Sequence, residues 1–144
     1  MMKDEALPAS TGCWPAIVMA VRACVGTRFR VQGRAPGLGL DCVGVVLVAA
    51  AAAGMMVAPP PAYAQAGDNG AYLDHALAQA GCQPVAAALA GDILVFAPTP
   101  RRRHLGVMTA AGMVHAHAGL GRVVEGLIDP DWPIVGQWRL PGAR

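Results

Sequence analysis

The stretch LGLDCVGVVLVAAAAAGMM, Leu38 to Met56, decides how this chain folds. An aspartate and a cysteine open a run that carries no further charge and no ordinary polar side chain. A membrane span is one reading, but only 16 residues separate Val43 from Ala58 before Pro59-Pro60-Pro61, short of the roughly 20 a spanning helix needs. A signal peptide is another reading. Arg28, Arg30 and Arg34 would form its basic region, the Val/Ala run its apolar core and Ala62-Tyr63-Ala64 its cleavage site. The run begins too deep in the chain for that, behind a segment that is itself patterned, and cleavage would leave only about 80 residues to build a core. What remains is a helix buried on every side, capped by Asp41, with Cys42 in its first turn and the prolines stopping it.

The rest of the chain is read outward from that helix. Of the 144 residues, 55% are hydrophobic and 14% charged, which excludes a disordered chain. A net charge of +2 gives no reason to expect nucleic acid or an anionic membrane as a partner. Residues 1–13 are expected to be loose and residues 14–144 to form a single domain. Trp14 to Val25 reads as a first helix, with Pro15 in its first turn and Ile17, Val18 and Val21 on one face. Gly26 closes it, and the glycine-rich segment from Thr27 to Gly39 delivers the chain to Asp41. A third, short helix is expected from Gly70 to Ala80. Beyond Gly91 the pattern turns strand-like, with runs at 92–97, 104–109, 113–118, 122–125 and 134–140. Helices first and strands afterwards predict an α+β domain, its helices packed on an antiparallel sheet of about five strands.

Four cysteines without CxxC spacing (Cys13, Cys24, Cys42, Cys82) argue against a disulfide framework or a zinc knuckle. Cys42 is distinguished by its place: free N–H groups and the positive end of the helix dipole favour a thiolate, although Asp41 opposes it. It is therefore expected to be the most reactive of the four. A nucleophilic cysteine needs a base and a group that orients the base. Three of the four histidines, His104, His115 and His117, lie in the strand-rich half. His115 and His117 share a face because side chains alternate along a strand, and an even turn near Ala110–Gly112 puts His104 on that face too. A thiol at a helix start facing a histidine-bearing sheet is the arrangement that papain-like chemistry requires.

The pieces GTRFRVQG (26–33), LDCVGVV (40–46), GDILVF (91–96), HLGVM (104–108) and MVHA (113–116), in this order, resemble the NlpC/P60 cysteine peptidases. The closing LIDPDWPIVGQWRLP (127–141) is similar to their short branch from phage tails and gene transfer agents. The resemblance implies a papain-like NlpC/P60 fold with Cys42 as nucleophile, His104 as general base and His115 as the residue that orients His104. Asp41, Phe29 and Arg103 are the implied substrate contacts. It further implies a cell-wall hydrolase that cuts peptidoglycan stem peptides, typically between D-glutamate and the diamino acid, with no cofactor. Its place would be a virion tail tip, bound to hub or baseplate proteins, reached without a signal peptide or membrane span. This chain departs from the family at Phe29, which replaces a tyrosine and follows Arg28 where proline is usual, at Val31-Gln32 in place of Trp-Gly, and at Val43 in place of serine.

Two other classes fit parts of the pattern. His104, His115 and His117 on neighbouring strands are a conceivable three-histidine zinc site, which would make the protein a zinc-dependent hydrolase. A tail structural protein that keeps the fold without the chemistry is the other. Cys13, Cys24 and Cys82 read as filler, His75 as solvated, the Arg101–Arg103 run as a solvated loop able to attract stem-peptide carboxylates, and Asp92 as a turn residue.

Overall fold

The computed structural model describes residues 12–57 and 70–144. Residues 1–11, most of the expected loose N-terminus, and the linker around Pro59–Asn69 lie outside the described residues. Helix α1 (Trp14–Arg22) buries Ile17 and Val21 and carries proline in its first turn, where a missing N–H costs nothing. It ends earlier than the sequence pattern suggests: the chain leaves the helix in a turn after Arg22, and Cys24 completes the buried face from there. A two-stranded hairpin, β1 (Arg34–Ala35) and β2 (Gly39–Leu40), then leads into α2 (Cys42–Ala52). Helix α3 (Gly70–Gln79) follows and contributes Leu73 and Leu77 to the core.

Helix α2 is apolar all round because most of it is covered; only Ala51 is exposed. Val43, Gly44, Val45, Val46, Ala49 and Ala50 are buried, and the helix packs on α1 and on the sheet. Each fully buried valine contributes roughly 1.5–3 kcal/mol, while the alanines let neighbouring elements approach closely. Among the described residues no helix is long and apolar enough to cross a membrane.

The remaining strands are β3 (Gln83–Pro84), β4 (Ile93–Thr99), β5 (Arg102–Thr109), β6 (Gly112–His117), β7 (Arg122–Gly126) and β8 (Ile134–Arg139). They form one antiparallel sheet in the order β3-β8-β4-β5-β6-β7. The architecture is α+β, as the sequence predicts. The sheet has six strands and not five because two-residue β3 pairs with β8, a pairing too short to leave a pattern. Alternation assigns the faces. Ile93, Val95, Leu105, Val107, Val114, Ala116 and Val123 meet the helices. Leu94, Phe96 and Met113 form a second cluster on the far face, under Trp132 and Ile128. Both faces of β4 are buried, which is why its sequence reads as an unbroken apolar run.

Asp92 is more than a turn residue. It is fully buried, accepts a hydrogen bond from Leu89 N, and receives both Nε and Nη2 of Arg139 at 3.0 and 2.8 Å, tying β4 to β8.

The junction between hairpin and helix is tight at Gly44. A methyl group there would collide with the carbonyl oxygen of Gly33 and come within 2.9 Å of Leu40 Cδ2. Helix propensity alone favours alanine over glycine by about 1 kcal/mol, whereas overpacking against backbone costs about 1–3 kcal/mol. Gly44→Ala is therefore expected to destabilise the protein by about 1–2 kcal/mol in urea unfolding. A stabilised variant would mean that the hairpin yields.

Candidate active site

Three elements converge at one end of the sheet: the first turn of α2, the start of β5 and the end of β6. Asp41 adopts an extended backbone at the N-cap of α2, and its Oδ1 accepts from Gly44 N at 2.9 Å. The same carboxylate accepts from Gln32 N at 2.8 Å and from Arg34 Nη1 at 2.7 Å, and it is only 2% exposed. These bonds hold the hairpin against the helix and fix where Cys42 begins.

Cys42 is partly buried, and its thiol lies against the backbone N–H of Leu105, the residue after His104. Burial, and then the negative charge of Asp41, push this thiol up to about 11. The N–H groups of Leu105 and Val43, and Arg34, pull the other way but do not win. The sequence sets the helix terminus against Asp41 without deciding between them; desolvation outweighs the helix terminus and keeps the thiol protonated. Cys24 and Cys82 are also raised, by burial.

The histidines stand on the face of the sheet away from the helices. Val107 lies opposite Val114 and Thr109 opposite Gly112, so the turn has two residues, Ala110 and Ala111. This even turn puts His104 on the same face as His115 and His117. His104 Nε2 and His115 Nδ1 share a hydrogen bond of 2.8 Å. His117 instead accepts from Leu120 N at 3.1 Å through its Nδ1, turned toward the β6–β7 connection. Burial, followed by the neighbouring His115, His117 and Arg102, lowers His104 to about 3; burial and His117 lower His115 to about 4.

The facing of these nitrogens bears on the three-histidine zinc reading. His104 Nε2 and His115 Nδ1 point at each other, so they cannot both point at one ion. Among the described residues no three His, Cys, Asp or Glu side chains are grouped to hold a metal.

The other expected contacts are dispersed. Phe29 is joined to Leu40 by a backbone bridge and packs against the main core as a partly buried side chain. Arg103 folds back onto the carbonyls of Pro100 and Arg102, at 3.2 and 3.1 Å. Trp132, to which the sequence reading gives no place in the site, stands edge-on to His104 at 5.0 Å and to His115 at 6.0 Å between ring centroids. Its only sequence signal is an aromatic inside the turn Asp129-Pro130-Asp131-Trp132-Pro133, in a chain with 5% aromatics. An apolar cavity of about 720 Å³ opens elsewhere, between α2 and α3, and neither Cys42 nor any histidine lines it.

This arrangement of fold and site can be set beside known proteins. The fold is shared with two NlpC proteins. NlpC1 from Trichomonas vaginalis superposes with a TM-score of 0.64 at 16% identity, over 93% of this chain and 46% of the other. NlpC2 from the same organism gives 0.60 at 18% identity, over 96% of this chain and 50% of the other. The chain therefore spans about half the length of either structure. No family model matches the sequence, and no curated protein does. At this identity the likeness establishes an NlpC/P60-like fold.

Two neutral histidines in the fold have a measurable consequence. Their folded values lie below the ordinary 6.5, so the unfolded chain takes up protons first as the pH falls. Stability from this source is complete above pH 6.5 and is lost progressively toward pH 3, the His115 part by about pH 4. The thermal midpoint should fall over that window, and it should fall less in a His104→Asn/His115→Asn variant. An unchanged slope in the variant would refute the burial of these rings as neutral groups.

Proposed function

We propose that this protein is a cysteine peptidase that hydrolyses peptidoglycan stem peptides, with Cys42 as nucleophile, His104 as general base and His115 as the residue that orients it. The observation that carries this reading is the 2.8 Å bond between His104 Nε2 and His115 Nδ1, on the strand whose next residue, Leu105, offers its N–H to the Cys42 thiol. With Nε2 bonded to His115, Nδ1 is the nitrogen of His104 that would have to face the thiol. That nitrogen must be free of a proton to act as a base, so the Nε2 hydrogen is donated to His115 Nδ1 and the His115 proton sits on its own Nε2.

At neutral pH the thiol and both imidazoles are uncharged. Proton transfer then belongs to the attack itself. His104 takes the thiol proton as the sulfur bonds to the carbonyl carbon, and the proton passes to the leaving amine as the C–N bond breaks. Water, activated by the same histidine, hydrolyses the thioester. The backbone N–H of Cys42, at the positive end of α2, is placed to stabilise the oxyanion.

The bond favoured is that between D-glutamate and the diamino acid, and the setting is the tail tip of a phage or gene transfer agent, where the enzyme would act in the target cell's periplasm. The sequence likeness of residues 127–141 to the tail branch supports this setting. Hub or baseplate proteins would be its partners there. Arg103 and Phe29 are proposed as substrate contacts on the resemblance alone, while the carboxylate of Asp41 serves the helix cap first.

The decisive assay incubates the protein with defined muropeptides and identifies products by mass spectrometry. Cys42→Ala is expected to lower turnover by roughly 10³-fold or more, with a chelator changing nothing. Turnover surviving in Cys42→Ala overturns the nucleophile. No turnover by the wild type, alone or with tail proteins, favours a structural role. His115→Ala is expected to lose roughly 10²-fold or more and His117→Ala only a few-fold, both checked for folding by circular dichroism. A larger loss in His117→Ala would show that the orienting residue is misassigned.

A further inference from the structure

Two arginines on the histidine face lack a counter-charge among the described residues. Arg28 and Arg122 meet in an isolated antiparallel bridge. Val123 N donates to Thr27 O at 2.8 Å and Phe29 N donates to Gly121 O at 2.8 Å, which makes Arg28 and Arg122 a pair without mutual backbone bonds. Side chains in such pairs stand closest and on one face. Both residues are exposed, and neither has a hydrogen bond or ion pair among the described residues. Three other arginines are ion-paired: Arg22 with Glu125, Arg34 with Asp41 and Arg139 with Asp92. Like charges directly opposite one another in a sheet are destabilising, so the unliganded protein carries a cost at this position.

The register gives the pair its direction. Arg122 lies opposite His117, and two residues along the same face of β6 His115 bonds His104. His117, Arg122 and Arg28 therefore follow one another across neighbouring segments, on the face that carries His104 and His115. Leu40 N donates to Arg28 O at 3.0 Å, so the Cys42 turn starts two residues from this row. With strands about 4.8 Å apart, Arg122 stands roughly 10 Å from His104 and Arg28 roughly 14 Å. That is the span of about three residues of extended peptide.

We propose that Arg28 and Arg122 form a carboxylate-binding subsite of the cleft, reading a free carboxylate of the substrate peptide within about three residues of the scissile bond. The proposal rests on the peptidase reading for the identity of the ligand. It does not rest on the Arg101–Arg103 run, in which Arg102 lies near His104 and Arg103 folds back on the carbonyls of Pro100 and Arg102. Two guanidinium groups from directly opposite residues could meet a carboxylate's two oxygens, and binding would relieve the repulsion between them. Arg28 stands at a position the NlpC/P60 motif fills with proline, so the subsite is a property of this chain.

The test measures binding separately from turnover. Calorimetry on full-length Cys42→Ala protein compares a stem tetrapeptide with free glutamyl and diamino-acid carboxylates against the same peptide with both amidated. The free form is expected to bind roughly 10-fold tighter or more, and Arg28→Gln with Arg122→Gln should abolish that difference. Either substitution alone should raise the thermal midpoint of the unliganded protein, an effect that a purely structural pair would reverse. Equal affinities, no binding of either peptide, or a preference surviving the double substitution overturns the subsite. A carboxylate preference in a protein that cleaves neither peptide would keep the subsite and remove the peptidase.

Discussion

The buried carboxylate of Asp41 is the constraint on which the site depends. Its oxygens receive the Gly44 and Gln32 N–H groups and the Arg34 guanidinium. A charge this deep is tolerated only when it is so fully bonded. These bonds commit the hairpin of residues 34–40 and the first turn of α2 to one relative position, and Cys42 has no independent freedom to drift from it. Gln32 accepts a left-handed backbone, φ 57°, to bring its N–H to that oxygen. The cost of that conformation is a sign of how firmly the surroundings determine it.

The same carboxylate opposes the thiolate it positions. Asp41 and burial together hold Cys42 as a thiol, while burial holds His104 and His115 as neutral rings. A stored thiolate–imidazolium pair would be ready to react with any electrophile. In the proposed peptidase, a neutral pair would wait for a substrate that brings its carbonyl to the oxyanion position and excludes water, where charge development would be matched by nearby N–H groups. Trp132, edge-on to both rings, adds to the dryness on which this neutrality depends.

Much of this was legible in the sequence, for reasons that differ by element. The α2 helix announced itself because an apolar run ended by prolines has few alternatives, and Asp41 as its cap followed from side-chain chemistry. Five strands were visible through alternation and turn residues. His115 was paired with His104 on the motif resemblance, since facing alone left His117 open; the structure joins His104 to His115. Three features were not legible. The thiol's protonation depends on how much water Cys42 loses, which no local pattern encodes. Trp132 reaches the histidines from an irregular turn without periodicity. The meeting of Arg28 with Arg122 is a single bridge between segments far apart in the chain, and neither segment carries a sign of the other.

The two-residue turn at Ala110-Ala111 has an evolutionary consequence. One strand, β6, carries Val114 and Ala116 toward the helices and His115 and His117 toward the opposite face. Inserting a single residue into that turn would exchange the two sets, sending imidazoles into the apolar interior and valine out to water. Loop length here is thus a parity condition. Descendants of this chain can vary the turn by two residues at a time, or absorb an odd change in a bulge, but a lone insertion removes fold and chemistry together. Surface loops usually drift freely in length; this one is held to an even count by residues it never touches.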